Sequence, residues 1–344
     1  MRCFTSLPSL SKKIELPFAA ESRSCSDAAS TVILKVILLL VGIILVLWGA
    51  DRFTDGASGL ARKWNVSELV IGLTIVAAGT SLPEFMVSLL STLQGSSDMS
   101  VGNIIGSNIF NGLAILGASA LMMPIVVDRS VLFRDLPYML IVTLMLFLLV
   151  FFDGHITRLD AALFIALFII YLSYTYHVAM SNRKSEEKQK TMEEKTSSYA
   201  KLVLQIVVGM TALVIGARLM VSQGAEMARI LGVSESMIGL TILAGGTSLP
   251  ELATSMMAAH KGREGLAVGN VIGSNVFNIA AILGACAIIH PMQVEEIAIT
   301  DWITLVGSGI LIWILSFTRN KIEKYEGALL LLCFFTYMFH LICK

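Results

Sequence analysis

Charge is what this sequence has least of. Only 15% of its 344 residues are Asp, Glu, Lys or Arg, too few to clothe a soluble body of that length, while 56% are hydrophobic. A mean hydropathy of +0.79 makes a bilayer the natural solvent. An excess of either sign is missing too: 25 basic residues balance 25 acidic ones, so no nucleic acid or other polyanionic partner is expected. Cysteine is sparse and unpatterned. Cys3, Cys25, Cys286, Cys333 and Cys343 form no CxxC pair and are odd in number, which argues against a disulfide framework and a zinc site. Residues 1–30 lack an apolar stretch long enough for the core of a secretory signal, and are expected to form a disordered tail.

Apolar runs are what the sequence has instead. A spanning helix needs roughly 20 apolar residues, and ten such runs recur, at 32–50, 69–93, 101–122, 131–152, 159–178, 202–220, 237–259, 266–289, 303–317 and 327–342. Between the fifth and sixth, Ser181 to Lys195 read SNRKSEEKQKTMEEK, too polar for lipid and expected to be a linker. The chain therefore divides into a tail (1–30), a first unit (31–180), the linker (181–198) and a second unit (199–344). Loops after odd-numbered runs carry most of the Lys and Arg, among them Arg62, Lys63, Lys184, Lys188, Lys261, Arg263 and Lys321. Loops after even-numbered runs hold only Arg158 and Arg229. That asymmetry puts the linker in the cytoplasm and both termini on the opposite side.

The two units are copies. VSELVIGLTIVAAGTSLPEFMVSLLSTLQG at 66–95 is echoed by VSESMIGLTILAGGTSLPELATSMMAAHKG at 233–262, and VGNIIGSNIFN at 101–111 by VGNVIGSNVFN at 268–278, with a constant offset and no gap. Each copy contains five runs, an odd number, so the second must enter the membrane with opposite polarity. Inverted repeats with interrupted helices are a transporter architecture, whose substrate site lies near the midplane where the copies meet. The expected fold is an all-α polytopic membrane protein with ten transmembrane helices in two inverted five-helix repeats.

The repeated motifs carry the chemistry. In Gly79-Thr80-Ser81-Leu82-Pro83-Glu84, Pro83 cannot donate to the Gly79 carbonyl and opens the preceding turn. Carbonyls freed in a bilayer must find partners or line a wet cavity. Thr80 and Glu84, four apart, share a helix face beside Ser81; Thr247, Ser248, Pro250 and Glu251 repeat the arrangement. Glu84 and Glu251 read as the only carboxylates deep inside spans, where a charge costs several kcal/mol unless compensated. Two carboxylates among hydroxyls and carbonyls suit hard cations: calcium would cancel both charges, and sodium ions or protons could do so in its absence. The second motif sets Asn103, Ser107 and Asn111 in one polar stripe, with Gly102 and Gly106 permitting close helix approach; Asn270, Ser274, Asn278, Gly269 and Gly273 are the mirror set.

These paired G-T-S-L-P-E and G-N-x-I-G-S-N-x-F-N motifs resemble the α-repeats of the calcium/cation antiporter superfamily, most closely its prokaryotic sodium/calcium exchangers. The resemblance covers nearly all of 32–342. It implies a four-helix central core and two long sliding helices, the first and sixth. It also implies a central calcium site on Glu84 and Glu251 with the carbonyls of Thr80 and Thr247. Sodium sites on Ser81, Ser107, Ser248 and Ser274 with the carbonyls of Ala77 and Ala244 are implied as well, with Asn111 lining the centre. Some exchangers carry an aspartate at the position matching Asn278; here both copies carry Asn, which removes a titratable group.

The resulting expectation is an antiporter exchanging sodium for calcium by alternating access, working as a monomer in a prokaryotic inner membrane. Calcium and sodium are its transported ions, the lipid bilayer is its surroundings, and neither a cofactor nor enzymatic activity is expected. A calcium/proton antiporter keeps the fold and changes the coupling ion, and a passive cation channel would need no inverted halves. Intramembrane enzyme motifs are missing.

Overall fold

The computed structural model describes residues 17–186, 198–233, 244–295 and 297–343, and for 17–31, 182–186 and 244 the backbone alone. Its elements in chain order begin with α1 (Pro17–Trp64), then α2 (Glu68–Thr80) and α3 (Leu82–Leu93), a pair bent by 47°. There follow α4 (Ser97–Met122), α5 (Val131–Asp153), α6 (Arg158–Glu186), α7 (Tyr199–Ile230), α8 (Leu249–His260), α9 (Glu264–Ile289), α10 (Ile299–Phe317) and α11 (Lys324–Cys343). Among the described residues eight helices are long and apolar enough to cross a membrane, and the bent pair makes a ninth span. Of the expected seventh span the structure describes a helical turn at Ala244–Gly246 and α8; 237–243 lie outside the described residues. The protein is thus an all-α, multi-pass membrane protein.

Two boundaries differ from expectation. Helix α1 starts at Pro17, inside the segment expected to be a disordered tail, and continues to Trp64. Proline is well suited to a first helical position, and the alanines that follow favour helix. Its far end continues past Ala50 because the charges there are paired: Asp51 meets Lys261 at 2.6 Å, and Arg52 stacks over Trp48 at 5.8 Å. Helix α7 likewise runs ten residues beyond the expected end at 220. The expected linker is entered only as far as Glu186; 187–197 lie outside the described residues.

Helices α1 and α7 cross antiparallel through glycines. A Cβ on Gly49 would lie 2.8 Å from the Gly209 carbonyl, and one on Gly216 would lie 2.8 Å from the Gly42 carbonyl. Only hydrogen fits there, so the two backbones touch. Lys35 pairs with Glu226 at one end of the crossing, and the Lys63 ammonium sits 4.0 Å over the Tyr199 ring at the other. The side on which α6 ends and α7 begins is called the linker side below.

Short strands report the inversion. Ile125–Val126 (β1) pairs antiparallel with Lys321–Ile322 (β4), and His155–Ile156 (β2) with Met292–Gln293 (β3). The loop after the third span therefore lies beside the loop after the ninth, and the loop after the fourth beside that after the eighth. Repeats of like orientation would have put β1 beside β3. The main core gathers buried residues of α4, α5, α6 and α9, including Ile104, Ile109, Leu146, Phe164, Val276 and Leu283. A second cluster joins α1 to the broken helices through Phe53, Ala57, Ile71 and Ala258.

Candidate cation site

The break between α2 and α3 falls at Ser81, whose φ of −78° and ψ of 8° leave the helical path just before Pro83. Ser248 repeats it with φ −87° and ψ 9° before Pro250. Each break opens a new helix with a glutamate in its first turn, Glu84 in α3 and Glu251 in α8, where the helix dipole favours negative charge. Both glutamates are buried, with 1% and 0% exposure.

The breaks bring the repeats together reciprocally. The Ser81 hydroxyl donates to Glu251 Oε1 at 3.0 Å, and the Ser248 hydroxyl donates to Glu84 Oε1 at 2.7 Å. The Ser107 and Thr247 hydroxyls stand close to Glu84. Wide π-helical turns at Phe110–Ile115 and Phe277–Leu283 carry the buried Asn111 and Asn278, and these turns pack against α8 and α3, the helices of Glu251 and Glu84.

Oxygen without a partner is concentrated here. Among buried side-chain atoms lacking a hydrogen bond are Oε2 of Glu84 and of Glu251, Oγ of Ser107 and of Ser274, Oδ1 of Asn111 and of Asn278, and Oγ1 of Thr247. Six of these seven are mirror pairs. Buried polar atoms are normally satisfied, and each orphan costs about 1–3 kcal/mol. A cluster of orphaned oxygens with two negative charges is a set of ligands for hard cations. Among the described residues no group of three or more His, Cys, Asp or Glu side chains converges, so neutral oxygens must complete any coordination shell.

The expected residues fall into two groups. Glu84 and Glu251 are joined to Ser248 and Ser81 through their side chains, and Ser107, Ser274, Asn111, Asn278 and Thr247 each bury a side-chain oxygen that has no hydrogen bond among the described residues. Thr80 spends its hydroxyl on the Val76 carbonyl at 3.0 Å and Asn270 Oδ1 at 3.1 Å, leaving its backbone oxygen as the candidate ligand. Ala77, buried, and Ala244 lie one turn before their breaks. Asn103 and Asn270 fasten helices instead: each donates to the backbone of its repeat's glutamate and to a serine, Ser88 at 3.0 Å and Ser255 at 2.8 Å.

Two buried asparagines that join the repeats escaped the sequence reading. Asn108 donates to the Asn275 carbonyl at 3.1 Å, Asn111 donates to Asn275 Oδ1 at 3.1 Å, and Asn278 donates to Asn108 Oδ1 at 2.9 Å. This amide zipper aims the free oxygens of Asn111 and Asn278. Its signal was the exact repetition of Asn108 at Asn275, one position off the expected stripe. Two further carboxylates are buried, at helix ends and not deep inside a span: Asp135 in the opening turn of α5 and Glu326 in the first turn of α11. Asp135 is fully buried and Glu326 is 3% exposed. Arg134 holds Asp135 through two bonds at 2.8 and 2.7 Å, and Glu326 accepts from the Thr318 hydroxyl and the Glu323 amide. Glu84 and Glu251 differ from Asp135 in having no cationic partner among the described residues, and from Glu326 in each keeping an oxygen, Oε2, without a hydrogen bond.

A cavity of about 1210 Å³ reaches the cluster at Ser107 and Thr247. Its walls are Leu82, Met86 and Leu90 of α3, the first half of α4, Val214 and Arg218 of α7, and Phe334 and Met338 of α11. Helix α2 begins on the linker side, where Glu68 approaches Arg263 at 4.0 Å, and α3 runs away from that side. The cavity therefore opens opposite the linker.

The sequence profile of the family described as sodium/calcium exchanger protein matches residues 34–177 and 201–343, one match in each half. The chain is similar to the CaxA protein of Alkalimonas amylolytica, with 39% identity over 315 residues covering 89% of this chain and 98% of the relative. It is similar to the sodium/calcium exchanger MaX1 of Methanosarcina acetivorans, with 32% identity over 340 residues covering 88% and 97%. Of the solved structures, the sodium-calcium exchanger NCX_Mj soaked with zero Na+ and Ca2+ superimposes with a TM-score of 0.77 and 33% identity, over 90% of this chain and 99% of that one.

Proposed function

The chain belongs to the sodium/calcium exchanger protein family, and from that premise we propose that its buried oxygen cluster is where calcium and sodium ions take turns. The protein is an antiporter that exchanges sodium for calcium across a membrane, and not an enzyme. The observation that carries the site assignment is the reciprocal pair of Ser–Glu bonds, Ser81 to Glu251 and Ser248 to Glu84, together with the buried oxygens that have no hydrogen bond among the described residues.

In this reading Glu84 and Glu251 hold calcium with the backbone oxygens of Thr80 and Thr247. Ser81, Ser107, Ser248 and Ser274 hold sodium with the carbonyls of Ala77 and Ala244, while Asn111 and Asn278 line the centre. Two carboxylates supply charge enough for one divalent ion. Sodium ions binding the outer oxygens draw the same carboxylates, so the two cargoes compete and cannot both be held. The ions are the transported substrates and no cofactor is required. Alternating access moves the long α1–α7 pair across the core, and the inverted units 31–180 and 199–344 exchange their arrangements. We place the protein in a prokaryotic inner membrane as a functional monomer, with the linker in the cytoplasm and the termini outside.

The test is calcium uptake into sodium-loaded proteoliposomes. Uptake that requires an outward sodium gradient is expected. Uptake driven equally by a pH gradient without sodium would make the protein a cation/proton antiporter, and uptake indifferent to any counter-ion would make it a channel.

A further inference from the structure

The two halves share a sequence pattern but not an arrangement, and one difference is carried by charge. On the linker side α1 lies on the core, with Phe53, Ala57 and Ala61 packed among Ile71, Ala258 and Leu266. There Lys261, between α8 and α9, pairs with Asp51 at 2.6 Å and Asp55 at 2.8 Å, and Arg263 pairs with Asp55 at 2.8 Å. The ammonium of Lys261 also donates to the Asp51 carbonyl at 3.1 Å. All four side chains are only partly exposed, between 18% and 36%, so solvent screens the cluster less than it would a surface pair.

The constant repeat offset carries Asp51, Asp55, Lys261 and Arg263 onto Arg218, Ser222, Gln94 and Ser96. No such cluster can form from those residues: one cation faces a serine and two neutral side chains. Arg218 and Ser222 instead line the cavity that parts α7 from α3 and α4.

We propose that Asp51, Asp55, Lys261 and Arg263 form a one-sided latch that holds α1 on the core at the linker side and so sets the resting protein open on the opposite side. The inference rests on the alternating-access reading above. When α1 leaves the core these pairs must break, and the reverse movement of α7 makes no equivalent pairs at Gln94 and Ser96. The two facing states are therefore unequal in energy by the strength of the cluster. Partly exposed pairs are individually weak, but several acting together shift a two-state equilibrium about threefold to tenfold. Cation affinity measured from the linker side is reduced by the same factor, because only the minor state is competent to bind there.

The test uses the full chain in nanodiscs, with its cysteines replaced and a single reporter cysteine at Met86→Cys, on the open cavity wall, or at its repeat equivalent Ala253→Cys, on the closed side. A water-soluble maleimide is the probe. In the parent, the first reporter is expected to label much faster than the second. Lys261→Gln with Arg263→Gln, and separately Asp51→Asn with Asp55→Asn, should each narrow that ratio about threefold to tenfold. The charge-keeping Lys261→Arg with Arg263→Lys should preserve it. Parent-like ratios in either neutralised pair that remains monodisperse would overturn the latch, as would an equal change in the charge-keeping variant. Labelling needs no ion gradient, so the two readings fail separately. Shifted ratios without sodium-dependent flux would sink the exchange reading alone, and normal flux with unmoved ratios would sink the latch alone.

Discussion

Ser81 and Glu251 are 170 positions apart, yet the serine hydroxyl donates to the carboxylate at 3.0 Å, and Ser248 returns the same bond to Glu84 at 2.7 Å. Each carboxylate is oriented by the other repeat, so the site belongs to neither half. Both Oε2 atoms remain without a hydrogen-bond partner among the described residues. Replacing either carboxylate by an amide removes one charge and aims an N–H group at the place a cation would occupy. Glu84→Gln and Glu251→Gln are each expected to reduce sodium-driven calcium uptake to the level of empty liposomes, and to abolish the rise in Tm that calcium gives the parent. Retained uptake in either variant would move the site elsewhere.

Removing only the orienting hydroxyl should have a graded effect. Ser81→Ala and Ser248→Ala leave both charges in place but free one carboxylate each to turn. Loss of a hydrogen bond to a charged group is worth roughly 1.5–3 kcal/mol, so calcium affinity should fall about tenfold or more in each. Titration of calcium-induced thermal shift measures it, and a fall in one variant only would show that the two carboxylates are not equivalent.

Asp135 gives the control for burial without function. It is as buried as Glu84, but Arg134 grips it with two bonds and Tyr171 lies 3.4 Å from Oδ1. Asp135→Asn strands a guanidinium beside the core, which costs about 3–5 kcal/mol. The expected result is a lower Tm and lower yield, with an unchanged calcium affinity in the protein that does fold. An affinity change matching that of Glu84→Gln would make Asp135 part of the cation path.

The spans were legible because lipid demands long apolar runs, and the site was legible because a proline and a glutamate recur together at the same depth in both copies. Chain spacing misleads on the finer points. Ser81 is three residues from Glu84, which reads as a contact along one helix; the break at Ser81 turns the hydroxyl to the other repeat's glutamate instead. Asp51 and Arg52 ended the first apolar run, although pairing lets α1 carry them onward to Trp64. Asp135 was hidden because its neutralising partner is the adjacent residue, within the π-helical turn Val131–Asp135. Asn108 and Asn275 fell one position outside a stripe drawn for a regular helix.

The sharpest prediction comes from glycines at equivalent positions. On the closed side, Gly273 is buried so tightly that a Cβ would lie 2.7 Å from the Cα and carbonyl oxygen of Leu73 and 2.8 Å from the Ala77 Cβ. On the open side, Gly106 is exposed, and among the described residues nothing lies within 4 Å of the place its Cβ would take. Thr80 and Asn270 are hydrogen-bonded at 3.1 Å on the closed side, whereas among the described residues Thr247 Oγ1 has no hydrogen-bond partner on the open one. If the halves exchange arrangements during transport, Gly106 must come to be packed as Gly273 is now. Gly273→Ala should then overpack the present state by about 1–3 kcal/mol and lower Tm. Gly106→Ala should leave Tm unchanged or slightly raised, since alanine favours helix over glycine by about 1 kcal/mol. The same Cβ would burden the oppositely facing state with that overpacking cost, reducing sodium-driven calcium flux about tenfold. A stable Gly106→Ala protein that transports at the parental rate would mean that the two halves do not trade packing.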